Sequence, residues 1–147
     1  PARPQIHKYT PKHDFNPMDC TDMVIGMARG NTHRIGDYYT RDRSTPRRDA
    51  FWGGKDSLTA AMGFEKDGVT TILFRRKLST NELTDHDIID GDMQVIWAKG
   101  QEPGKYIHQP PSGVEKSAVS VKDFYKPDEL KYHGHRTQRG VAAFNFF

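Results

Sequence analysis

An all-β sandwich is the fold the sequence predicts, on three observations. Apolar residues recur with a period of two in most patterned segments. Helical periodicity is weak everywhere. Turn signals separate the strand-like runs at short, regular spacing. At 147 residues the chain is long enough for one domain with its own core.

The elements follow in chain order. "MVIGMA" (23–28) alternates as a strand, with Met23, Ile25 and Met27 on one face. "GN" at 30–31 offers a tight turn into "THRIGDYYT" (32–40), so the pair reads as a hairpin. "RDRSTPRRDAFWGGKD" (41–56), rich in Pro, Gly and charge, predicts a long loop. "SLTAAMGFE" and "VTTILFRRKL" flank Asp67-Gly68, whose residues both tolerate positive φ, and form a second hairpin. "DMQVIWAKG" (92–100) is a further strand carrying Trp97 as a core residue, and "QEPGKYIHQPPSG" is irregular. "GVAAFNFF" (140–147) alternates again, with Ala142, Phe144 and Phe146 on one face. The best helical candidates, "STNELTDHD" and "KPDELKYH", hold one or two turns each.

Composition removes several function classes. Hydrophobic content is 35%, mean hydropathy is -0.81, and no apolar run approaches the roughly 18 residues a membrane helix needs. Net charge is +3. Arg29, Arg34, Arg41, Arg43, Arg47 and Arg48 cluster, but Asp37, Asp42 and Asp49 interrupt them, so the stretch reads as a solvated loop with local ion pairs and not as a nucleic-acid surface. Cys20 is the only cysteine, which excludes an internal disulfide and a cysteine-based zinc site. The chain begins at Pro1 rather than Met, as expected of a mature product or a piece of something longer.

Residues that carry chemistry are sparse. No nucleophile elbow, P-loop, HExxH or dinucleotide fingerprint occurs, so no catalytic residue is assigned and no enzyme is expected. The carboxylates of "ELTDHDIIDGD" (82–92) lack calcium-loop spacing and read as a solvated connection. His133 and His135 fall on one strand face without a third ligand, so no metal centre is assigned. Met18 stands out because it precedes the first strand, after a proline and among polar residues. Methionine fills packing gaps, but a thioether opposed to an imidazole is also the axial pair that some cytochromes use.

"DMVIG", "IGDYYTRDRSTPRRD", "FWGGKDSL", "DGVTTILFRRKL", "DHDI" and "VIWAKGQ", in that order, resemble a DOMON domain, closest to the group that includes Skeletor, Knickkopf and ferric-chelate-reductase-like proteins. The resemblance implies an immunoglobulin-like antiparallel β-sandwich over residues 18–147, with residues 1–17 as an N-terminal arm or partial strand. Strands that family members carry ahead of the methionine are then missing or rearranged. It also implies an extracellular or secreted protein. Some family members bind b-type haem, which points here to Met18 with His133 as axial ligands, and His108 as a competitor for the histidine. Others are thought to bind sugars or matrix partners.

Two functions follow from the resemblance. One is a haem b module for electron transfer or redox sensing, with Arg43 and Arg47 facing the propionates, since arginine pairs bidentately with carboxylates. The other is a non-catalytic module that binds a glycan, a matrix partner or neighbouring domains of a longer chain. In that case Tyr38 and Trp52 supply contacts, although strand alternation turns one of Tyr38 and Tyr39 inward.

Overall fold

The computed structural model describes residues 17–41, 46–101, 130, 133–134 and 136–147. All its sheets are antiparallel, and the all-β expectation holds. Two compact units divide the chain at Asp87. The arm at 1–16, Arg43, Tyr106, His108, His135 and most of "KPDELKYH" lie outside the described residues.

The first unit contains two sheets. Strands β1 (Thr21–Arg29) and β2 (Thr32–Thr40) form the expected hairpin, with positive φ taken by Gly30, and the two-residue strand β3 (Arg47–Arg48) adds to β2. The predicted long loop therefore holds more order than its composition suggests. A 3-10 helical turn over Asp49–Trp52 follows β3 and ends at Gly53, whose φ of 87° closes it. Strands β4 (Leu58–Lys66) and β5 (Val69–Arg76) form the second sheet. They turn on Asp67 and Gly68, both at positive φ as the sequence requires.

The β4–β5 hairpin packs on the β1–β2 sheet. Ile72 is the wedge. A Cβ at Gly26 would lie 2.8 Å from Ile72 Cγ2, and one at Gly63 2.8 Å from Ile72 Cδ1. Two absent side chains thus leave the slot that one branched side chain fills. The covered face of β1 carries Asp22, Val24 and Gly26, while Met23, Ile25 and Met27 point to the other side. The methionine face is half-buried.

The second unit holds β6 (Met93–Ala98) paired with β7 (Arg139–Phe144). A 3-10 turn at Arg136–Gln138 leads into β7, and Lys99 N–H donates to the Gln138 carbonyl at 2.9 Å. Trp97 was expected in a core but is 48 % exposed. Its ring lies across Gly140 on the partner strand, where a Cβ would meet it at 2.7 Å.

Candidate functional site

The residues singled out by sequence fall in both units. Met18 belongs to the first and His133 to the second. Met18 sits half-buried in a turn at 17–20 ahead of β1. The turn is fixed from two directions. Thr40 Oγ1, at the end of β2, donates to the Met18 carbonyl at 2.8 Å, and Thr21 Oγ1 donates to the Pro17 carbonyl at 2.5 Å. The backbone that carries the thioether is therefore tied to both strands of the first hairpin. His133 Nδ1 lies 2.8 Å from the Gly134 carbonyl. A carbonyl only accepts, so Nδ1 is the donor and the lone pair of a neutral ring sits on Nε2.

Tyr38 and Tyr39 correct a second expectation. Alternation turns one inward, yet both are buried, Tyr38 to 2 % exposure, so neither offers a ring face to a surface ligand. The Arg48 guanidinium lies 5.3 Å over Tyr38, and Trp52 meets Tyr39 edge-on while its Nε1 donates to the Tyr39 carbonyl at 3.0 Å. One exposed ring that sequence reasoning passed over is Phe51, 66 % exposed. Trp52 stands edge-on to it at 5.1 Å, and the Arg47 guanidinium lies 5.4 Å from its centroid.

A buried group of carboxylates was missed altogether. Asp22, Asp37 and Asp85 each bring one carboxylate oxygen within 4.8 Å of the other two. Asp22 and Asp37 lie on the β1–β2 face that the β4–β5 hairpin covers. Asp85 comes from the loop after β5 and is 1 % exposed, so the expected solvated connection is, at this point, interior. Asp49, also 1 % exposed, stands next to them.

Their partners come mostly from distant parts of the sequence. Arg76 Nη1 donates to Asp22 Oδ2 at 2.7 Å, and the His86 backbone N–H reaches the same oxygen at 2.9 Å. Ser57 N–H donates to Asp37 Oδ2 at 2.9 Å, and the Thr80 hydroxyl donates to Asp85 Oδ2. Thr84 Oγ1 donates to Asp49 Oδ2 at 2.6 Å. Gly54 makes that last contact possible, because a Cβ there would meet Thr84 Oγ1 at 2.5 Å. The Gly-Gly pair at 53–54 thus closes the helical turn and admits the threonine.

Like charges in a shared interior hold protons tightly. Burial, with the charges of Asp85, Asp22 and Asp56, raises the Asp37 carboxyl to about 6, against the Ser57 hydrogen bond that lowers it. Burial raises Asp49 further, to about 8, with Asp37 and Asp85 adding to it and Thr84 opposing. For Arg76, burial acts downward, but the hydrogen bond and charge of Asp22 outweigh it and raise the guanidinium. The cluster was illegible in sequence because its members are contributed by β1, β2, the helical turn and a loop. The one available signal was an aspartate on the same face as Val24 and Ile35.

The family model described as DOMON domain matches residues 13–100, more than half of the 147-residue chain. The matched span includes Met18, all four carboxylates and Arg76. No curated protein matches the chain, and no solved structure does.

Proposed function

The chain belongs to the DOMON domain family, and on that premise we propose that it is a non-catalytic haem b-binding module of an extracellular protein, with Met18 as one axial ligand. DOMON domains are ligand-binding modules typical of extracellular or secreted proteins. Among the described residues, no helix is long and apolar enough to cross a membrane. The observation that carries the reading is Met18: a half-buried thioether on a turn held by Thr40 and Thr21. A fixed backbone lowers the entropic cost of placing a soft ligand. Bound haem supplies one-electron chemistry, and thioether ligation raises its potential.

A second reading is favoured by one observation. Phe51 presents an open ring face beside Trp52 and Arg47, the kind of apolar and cationic surface on which a sugar ring stacks. One pair of measurements separates the two. Haemin titration is expected to give a sharp low-spin, six-coordinate Soret band that Met18→Ala converts to a five-coordinate spectrum, with Phe51→Ala unchanged. A silent haemin titration, together with chitin or glycan retention that Phe51→Ala removes, overturns the haem reading in favour of the glycan one.

A further inference from the structure

We propose that His86 is the positioning residue of Met18: its imidazole holds the turn at 17–20 in the conformation that presents the thioether to haem. The assignment rests on the haem reading of Met18 for its purpose and on the hydrogen bonds of the first unit for its geometry.

The turn needs an external hold. Cys20, its last residue, has a φ of 54°, in the left-handed region that a residue with a Cβ adopts at a cost. Such a conformation persists only where the surroundings over-determine it. Thr40 and Thr21 take the Met18 and Pro17 carbonyls, both ahead of the strained residue. The Cys20 side chain bonds the Tyr39 hydroxyl. The Cys20 carbonyl is taken by His86 Nε2 at 2.7 Å, across 66 residues of sequence. A carbonyl only accepts, so Nε2 carries the proton and donates.

The imidazole is itself firmly anchored. The His86 backbone N–H donates to Asp22 Oδ2 at 2.9 Å, and the His86 carbonyl accepts from Arg76 Nη2 at 2.9 Å. Arg76 Nη1 donates to the same Asp22 oxygen at 2.7 Å. Asp22, Arg76 and the His86 backbone thus close a ring of charge-assisted hydrogen bonds, which are the stronger kind. Asp22 lies at the start of β1 and Arg76 ends β5, so the ring is rooted in two strands. An exposed histidine bonded at its N–H, its carbonyl and its ring is not an idle surface residue. It carries the rigidity of the Asp22–Arg76 pair to the turn that bears the thioether.

The test uses the full chain with methyl-labelled methionine, the Met18 resonance being identified by its loss in Met18→Ala. Glutamine places an amide N–H near the position of Nε2, and alanine removes the donor. His86→Ala should shift and broaden the Met18 methyl resonance while leaving those of Met62 and Met93 in place. It should also raise the rate of Met18 oxidation by hydrogen peroxide about fivefold, the factor one ordinary hydrogen bond is worth. His86→Gln should keep both readouts at the wild-type value. If His86→Ala does not fold, His86→Phe, which keeps a ring without the donor, takes its place. With haemin, wild type and His86→Gln should give the six-coordinate band, and His86→Ala a larger five-coordinate share. A wild type that takes up no haemin overturns the haem reading, and the resonance and oxidation rate still decide the role of His86. A Met18 resonance and oxidation rate unmoved by loss of the donor overturn the proposal, as does equal damage from His86→Gln.

Discussion

Asp49 opens a helical turn, yet it is 1 % exposed and holds its proton up to about pH 8. Asp37 holds its proton up to about 6. Both values lie above the ordinary 3.8, which fixes the sign of their effect on stability. Between the unfolded and folded values the native state binds more protons than the unfolded chain, so stability falls as pH rises. For Asp37 the loss runs from about pH 4 to 6, and for Asp49 from about 4 to 8. At about 1.4 kcal/mol per pKa unit, ionising Asp37 costs about 3 kcal/mol and ionising Asp49 costs more. The melting temperature is therefore expected to be highest near pH 5 and to decline towards pH 8. Asp49→Asn keeps a donor towards Asp85 without the charge, so it should raise the melting temperature at pH 8 and flatten the upper part of the profile. A melting temperature that climbs steadily from pH 5 to 8 contradicts this account.

At the level of the elements, Ile72 couples two sheets through what Gly26 and Gly63 lack. Gly26→Ala places a methyl 2.8 Å from Ile72 Cγ2, too close for ordinary contact. Overpacking of this kind costs about 1–3 kcal/mol. Ile72→Ala removes the clash and leaves a cavity, so the two substitutions should be strongly non-additive. A double-mutant cycle by urea denaturation should show a coupling of about 0.5 kcal/mol or more. Strictly additive costs would mean that the sheets do not meet there. The turns of this unit were legible in sequence because Asp67-Gly68 and Gly30 answer a local demand for positive φ. The face of β1 was not. Both of its faces carry apolar residues, and alternation assigns a side without saying which side is covered. Met23, Ile25 and Met27 share one face, and two glycine-sized gaps and an arginine ion pair place the covering hairpin on the other. The carboxylate cluster escaped for a related reason. Sequence separations of 15, 12 and 36 residues between its members follow no local period, and only the tertiary fold brings them together.

Across the whole molecule, apolar side chains remain in contact with solvent in both units. Met62 and Leu73 are cross-strand partners on the outer face of β4–β5, opposite Ile72 and Arg76, and each is about half exposed. In the second unit Val141, Phe144, Phe146 and Phe147 are exposed as well. Single exposed apolar residues are ordinary, but directly paired ones make a patch. A two-stranded hairpin is marginal alone, and this one is held by its inner face through Ile72 and the Arg76–Asp22 pair. Its outer face therefore contributes little to stability. The double substitution Met62→Lys with Leu73→Lys is expected to lower binding of a hydrophobic dye such as ANS in the native state while leaving the melting temperature within about 2 °C, since surface changes stay near ±0.5 kcal/mol. Ile72→Lys, on the inner face of the same strand, should instead unfold the first unit. If the outer pair proves as costly as the inner residue, the hairpin is covered on both faces, and the division into an inner and an outer side fails.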